Sequence, residues 1–126
     1  MNRLICLIIA AMAFTLTACG HAPENQTLPY PFQALGNEPG WSVVLQNDLH
    51  AEVILDTGST RFATTFTVAR ATAQGLLLHS TYQNQPLSLS IRPGSCNDTM
   101  SDTHYEYRAV LEVQGQNLQG CGRPAL

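Results

Sequence analysis

Lysine is absent from the 126 residues, and all six basic residues are arginine. Schiff-base chemistry and a phosphate-loop lysine are thereby excluded. Charge is scarce altogether: 12% of residues are charged, about half the usual share for a soluble protein, and the formal net charge is −3. A nucleic-acid face needs clustered positive charge, which this composition does not supply, so no nucleic-acid partner is expected. Also missing are G-x-S-x-G, a glycine-rich phosphate loop, C-x-x-C and H-x-x-x-H. What is present is enough for one folded unit. The hydrophobic share of 44% excludes disorder over most of the chain, and the length allows a single core.

The one long apolar run is too short to stay in a membrane. After Met1-Asn2-Arg3, residues Leu4 to Leu16 are almost wholly apolar. At a ~1.5 Å rise they make about 20 Å of helix, against a hydrocarbon core of roughly 30 Å. The length and the charged start fit a secretory signal. The run ends Leu16-Thr17-Ala18-Cys19, which resembles the bacterial lipobox. Residues 1–18 are therefore expected to be a lipoprotein signal peptide, with Cys19 the lipidated N-terminus. Two or more acyl chains (palmitate among them) anchor stably where a single chain does not. Gly20 is not the aspartate that holds such proteins in the inner membrane of Gram-negative cells. The resemblance thus implies an outer-membrane anchor facing the periplasm. Residues 19–31, with Pro23, Pro29 and Pro31, are expected to form a flexible tether, and 32–126 a single β domain.

Cys6 leaves with the signal and Cys19 carries lipid, so Cys96 and Cys121 remain. In an oxidising periplasm one disulfide is expected. The alternative is a metal site completed by His79 or His104, although no ligand pair at standard spacing is present.

From Phe32 onward the hydrophobic period is two. Trp41, Val43 and Leu45 alternate with polar or smaller partners, as do Ala51, Val53 and Leu55, then Phe62, Thr64, Phe66 and Val68. Leu76 and Leu78, then Leu87, Leu89 and Ile91, then Tyr105 to Val113 continue the pattern, and a closing strand runs through Leu118 to Cys121. Turn residues separate these runs at Asn47-Asp48, Asp56 to Ser59, Gln74-Gly75, Asn84 to Pro86 and Gln114-Gly115. The expected fold is all-β, a small antiparallel barrel or sandwich built as a meander of about six to eight strands. Ala69 to Ala73 reads least clearly and is compatible with a helical turn.

Candidate chemistry is sparse. Asp56-Thr57-Gly58-Ser59 copies the aspartic-protease signature, but that reaction needs two aspartates sharing a proton, hence a homodimer. The same four residues make a good hairpin turn. His50, His79 and His104 fall on different strands or strand ends, and His104 follows Asp98 and Asp102. Cys96 to Asp102 is rich in oxygen, yet its spacing does not follow the EF-hand order, and Asn, Asp, Ser and Thr also cap turns without a metal. No metal and no cofactor are expected. Met100 in that loop points to a contact surface. In Gly36-Asn37-Glu38-Pro39-Gly40-Trp41, the lone tryptophan is either a plug at a barrel end or, with Glu38, the wall of a ligand pocket.

Phe32 to Ser42, with its Gly-Asn-Glu-Pro-Gly-Trp core, together with Cys96-x-Asp98-x-Met100-Ser101-Asp102-x-x-Tyr105 and Leu118-x-Gly120-Cys121, resembles a family of uncharacterised bacterial envelope lipoproteins. Its domain sometimes stands beside META-type domains. In the usual pattern an aromatic residue occupies the place of Gly40, so a more open site is implied here. The resemblance implies an envelope location and a cystine joining the Asp-Met-Ser-Asp loop to the last strand, but no activity. At the level of architecture the chain is also similar to membrane-bound inhibitors of c-type lysozyme, although their lysine-containing stretch is missing.

The expected function is therefore a non-enzymatic, lipid-anchored binding module, with a lysozyme-inhibitor-like role as one version. Its candidate binding residues are Asn37, Glu38, Trp41, Asp98, Met100, Ser101, Asp102 and Tyr105. Its partner is an envelope protein or a small ligand. The alternative is a dimeric aspartic hydrolase using Asp56.

Overall fold

The computed structural model describes residues 28–98 and 102–125. The expected signal peptide, Cys19, the tether up to residue 27, Met100 and Ser101 lie outside the described residues. Nine antiparallel strands form one sheet: β1 Phe32–Asn37, β2 Gly40–Leu45, β3 His50–Leu55, β4 Thr60–Thr65, β5 Thr67–Thr72, β6 Gly75–Tyr82, β7 Gln85–Asn97, β8 His104–Val113 and β9 Gln116–Pro124. The order across the sheet is β4-β3-β2-β1-β9-β8-β7-β6-β5. Two meanders thus meet where the last strand pairs with the first, Phe32 opposite Pro124 and Leu35 opposite Cys121. The all-β expectation holds, as a single sheet curled into a half-barrel.

The count exceeds six to eight because Phe32–Asn37, read from the sequence only as part of a motif, is a strand, and because the run from Phe62 to Val68 breaks at Phe66. β4 and β5 are consecutive in the chain, yet they occupy opposite edges of the sheet. Phe66 sits between them, 2% exposed, and its N–H donates to the Leu49 carbonyl at 2.9 Å. The alternation of side chains gives no warning of that bend. Across the seam between β4 and β6 the contact is made by side chains: Phe62 stacks on Tyr82 with ring centroids 3.9 Å apart, and the Thr64 and Ser80 hydroxyls hydrogen-bond. Ala69 to Thr72 is strand rather than helical turn. A register shift lies between Val68 and Arg70, and Val68, opposite the buried Leu78 but on the edge strand, is 53% exposed.

The inward positions are those the alternation singles out. Val43, Leu45, Val53, Leu78, Leu89 and Leu111 are fully buried. The turn at Gln114-Gly115 falls at the expected place, whereas the one expected at Asn84 to Pro86 lies at Gln83-Asn84, with Gln85 and Pro86 already in β7. All four turn residues take positive φ, as two-residue primed hairpin turns require. The packed body starts earlier than Phe32. Leu28 is 4% exposed within the core cluster, Tyr30 packs against it, and the Pro31 carbonyl accepts from the Ala125 N–H at 2.7 Å. Burial of Leu28 thus draws the end of the expected tether onto the body.

Candidate functional site

A strand that bends where its ladder is interrupted creates the site. Pairing of β7 with β8 is regular to Pro93 opposite Tyr107, then resumes with Cys96 opposite Tyr105. Two residues of β7, Gly94 and Ser95, thus face only Glu106, and such a bulge bends the strand that carries it. Arg108, whose Nε donates to the Ser95 carbonyl at 2.9 Å, holds the bulge. The tail of β7 then reaches past β8 to β9. Cys96 and Cys121 are bonded there, with Cα atoms 5.7 Å apart. The expected disulfide is present, and the metal alternative for these two cysteines falls away.

Leu35 and Cys121 are register partners on the face of the sheet opposite to Ala34 and Gly122. That outward face would be open to water, but Cys121 is only 5% exposed. The tail of β7 covers it. Between the tail and the sheet lies a cavity of about 340 Å³. Leu35, Gly36, Gly120 and the disulfide contribute its apolar part, and Tyr105, 5% exposed, stands in its wall. Asn37, Glu38, Asn97, Asp98 and Gln119 bring the polar groups.

The two loops singled out by sequence therefore do converge. Asn37 Nδ2 donates to the Asp98 carboxylate, a hydrogen bond spanning 61 positions of sequence. The N–H of Asp98 also donates to the Thr103 carbonyl at 3.0 Å. Arg123 stacks 5.6 Å from the centre of the Tyr105 ring and bonds Gln33 Oε1 through Nε and Nη2. Among the described residues, the lining carries two carboxylates and no basic side chain, histidine, hydroxyl nucleophile or free thiol except the phenol of Tyr105. Acceptors beside an aromatic wall suit binding of a donor-rich or cationic group; they do not assemble a nucleophile with its base.

Trp41 does not line this cavity. It is 4% exposed, and its indole N–H donates to the Gln119 carbonyl at 3.2 Å. A Cβ on Gly36 would stand 2.1 Å from the indole Nε1, and one on Gly120 would stand 2.9 Å from Cζ2. Both glycines thus make room for the ring, and Trp41 plugs the barrel end behind the cavity. Trp41 borders instead a separate open hollow of about 270 Å³, with Gln33, Gly40 and Thr57. Asp102 is also outside the lining; it is exposed, with φ 53, at the end of its loop.

Asp56, the residue of the hydrolase alternative, lies exposed in a 3-10 turn at Asp56–Gly58 that joins β3 to β4. Its carbonyl accepts from the Ser59 N–H at 3.3 Å, and Thr57 lies against Gly40. The hairpin-turn account of Asp-Thr-Gly-Ser fits this geometry. His50, His79 and His104 are exposed on three different strands, and among the described residues no group of three or more His, Cys, Asp or Glu could hold a metal ion.

Sequence reasoning missed Leu35, Asn97, Gln119 and the two glycines of the cavity. A usable signal existed for Gly36 and Gly120, since glycine inside a period-two run marks close approach of backbone or ring. No protein-family model, no curated protein and no solved structure matches this chain significantly.

Proposed function

We propose that this protein is an outer-membrane lipoprotein of the envelope family its motifs resemble, anchored through Cys19 and facing the periplasm. Its β domain is a non-enzymatic binding module. The cavity framed by Asn37, Glu38, Asp98 and Tyr105 takes a small ligand or a protruding side chain of an envelope protein, with inhibition of a muralytic enzyme as one form of that role. One observation carries this reading: two loops 61 residues apart are tied by the Asn37–Asp98 hydrogen bond over a cavity partly lined by the disulfide. A cross-link and a bulged strand invested in one hollow, whose described lining assembles no nucleophile with a base, support a role in recognition.

The test is a thermal-shift screen of the purified protein against envelope-derived ligands, run beside assays of muralytic enzymes. A ligand at 100 times its Kd stabilises by about 2.7 kcal/mol. For a body of this size that is roughly 11–22 °C in Tm. The shift should shrink in Glu38→Gln and Tyr105→Leu. Shifts that survive both substitutions, or a screen with neither ligand nor inhibition, would defeat the proposal. For the anchor, Cys19→Ser should abolish palmitate labelling and release the protein from the membrane fraction.

A further inference from the structure

Half of the chain's six arginines gather on the outward face beside the bulge of β7, on the other side of it from the cavity just described. Arg92 and Arg108 are direct register partners across β7 and β8. Like charges placed opposite one another in an antiparallel pair repel. Arg70, on β5, shares a neighbouring hollow with Arg92. Among the described residues the only ion pair is Arg61 with Glu52, so none of these three has a carboxylate within 4.0 Å. The nearest acid along β8 is Glu106, two residues from Arg108 and not in ion-pair contact with it. An acidic chain with few cations thus concentrates them where they oppose each other.

Their positions are set by backbone. Arg108 is held through Nε on the Ser95 carbonyl, at the bulge. The stem of Arg92 runs along Gly75, where a Cβ would come within 3.1 Å of its Cγ. Between the β5–β6 turn and Pro93-Gly94 lies a hollow of about 550 Å³ flanked by Arg92 and Arg108. A second hollow of about 200 Å³ adjoins it, with Arg70 and Arg92 on its walls and Thr72 and Ser90 supplying hydroxyls. Among the described residues, neither is lined by an acidic one.

We infer that this cleft binds a phosphate group. Guanidinium forks donate pairs of hydrogen bonds, and a tetrahedral phosphate presents enough acceptor oxygens to engage two of them, Arg92 with Arg108 in the larger hollow or Arg92 with Arg70 in the smaller. Its negative charge also removes the repulsion between Arg92 and Arg108. The phosphate belongs either to a soluble small molecule or to a phospholipid headgroup, and the two are separable. This site does not depend on the cavity beside β1.

The experiment titrates inorganic pyrophosphate into the purified protein at low salt, and sediments the protein with vesicles of phosphatidylglycerol or of phosphatidylcholine. Any lipid anchor acts on both vesicle types, so the difference between them is the reading. Arg92→Gln and Arg108→Gln replace exposed side chains, and Arg61→Gln removes the same charge elsewhere. Saturable pyrophosphate binding, weakened at least tenfold by the first two variants and less than twofold by the third, establishes a site for soluble phosphate. A preference for phosphatidylglycerol with the same variant pattern establishes the headgroup. Absence of both, or equal losses in all three variants, overturns the proposal.

Discussion

Gly120→Ala adds one methyl group in the middle of β9, and the structure says what that methyl meets. Its carbon would stand 1.9 Å from the Leu35 carbonyl oxygen, 2.7 Å from the Leu35 carbonyl carbon and 2.9 Å from Trp41 Cζ2. Real Cβ contacts stay beyond 3.0 Å, so β1 and β9 must part by about 1 Å. Two of the three obstacles are backbone, which cannot rotate aside. The strain falls on the ladder Phe32–Leu35 with Cys121–Pro124, the junction that joins the two meanders, and on the Trp41 indole. Overpacking of a filled site costs up to about 3 kcal/mol, and more where backbone must move. A cost of ~3 kcal/mol lowers Tm by roughly 12–24 °C in a domain of this size. Gly115→Ala is the control. That glycine has φ +75 with nothing within 4 Å of a Cβ, so only the left-handed conformation is penalised. It should cost about 1 kcal/mol, or roughly 4–8 °C. Circular dichroism melts give both numbers, and emission of the single tryptophan reports the indole directly. Equal Tm changes in the two variants, with Trp41 emission unaltered in Gly120→Ala, would show that β1 and β9 do not approach as described.

Replacing Cys96 and Cys121 together by Ser releases a closed loop of 26 residues, worth roughly 3.5 kcal/mol in the chain-entropy account. Urea unfolding should show that loss, and hydrogen exchange should rise most over 94–98 and 121, because the tail of β7 then has only its bulged ladder. A double-mutant cycle of Phe62→Ala and Tyr82→Ala should give a coupling of about 0.5–1.5 kcal/mol, since the rings meet across a seam without ladder hydrogen bonds. Additive effects would mean the seam is held by other contacts. Burial raises the Tyr30 phenol above its usual 10.0. The neutral ring is then the form the fold prefers, so stability is at its full value below about pH 10 and falls as pH climbs through the folded-state value. Tyr30→Phe should flatten that alkaline decline in denaturant melts followed against pH.

Much of the fold was legible because one face of each strand is apolar and strands have a period of two. Val43, Val53, Leu78, Leu89 and Leu111 announce themselves that way, and each is buried. The turn at Gln114-Gly115 is legible for a different reason, since a glycine after a polar residue supplies the positive φ a short hairpin needs. The break at Phe66 was not legible: an inward aromatic at the expected parity looks the same in a straight strand and in a bent one. Nor was the status of Leu28, which lies in a proline-rich stretch without a hydrophobic period and is nonetheless buried in the core. For the site, Asn37, Glu38, Asp98 and Tyr105 stood out as unusual residues in two separate stretches. Their meeting required the bulge at Gly94-Ser95, which leaves no periodic trace.

Local chemistry, read along the chain, thus determined the strands, the inward set, the hairpin turns and the two cysteines available for a bridge. These follow from backbone geometry and from which side chains water rejects, both of which act over a few residues. The tertiary structure alone decided that β1 lies beside β9, that Trp41 backs the cavity instead of lining it, and that Arg92 confronts Arg108. Register between distant strands sets each of these, and register is a property of the pair, so neither strand carries it alone.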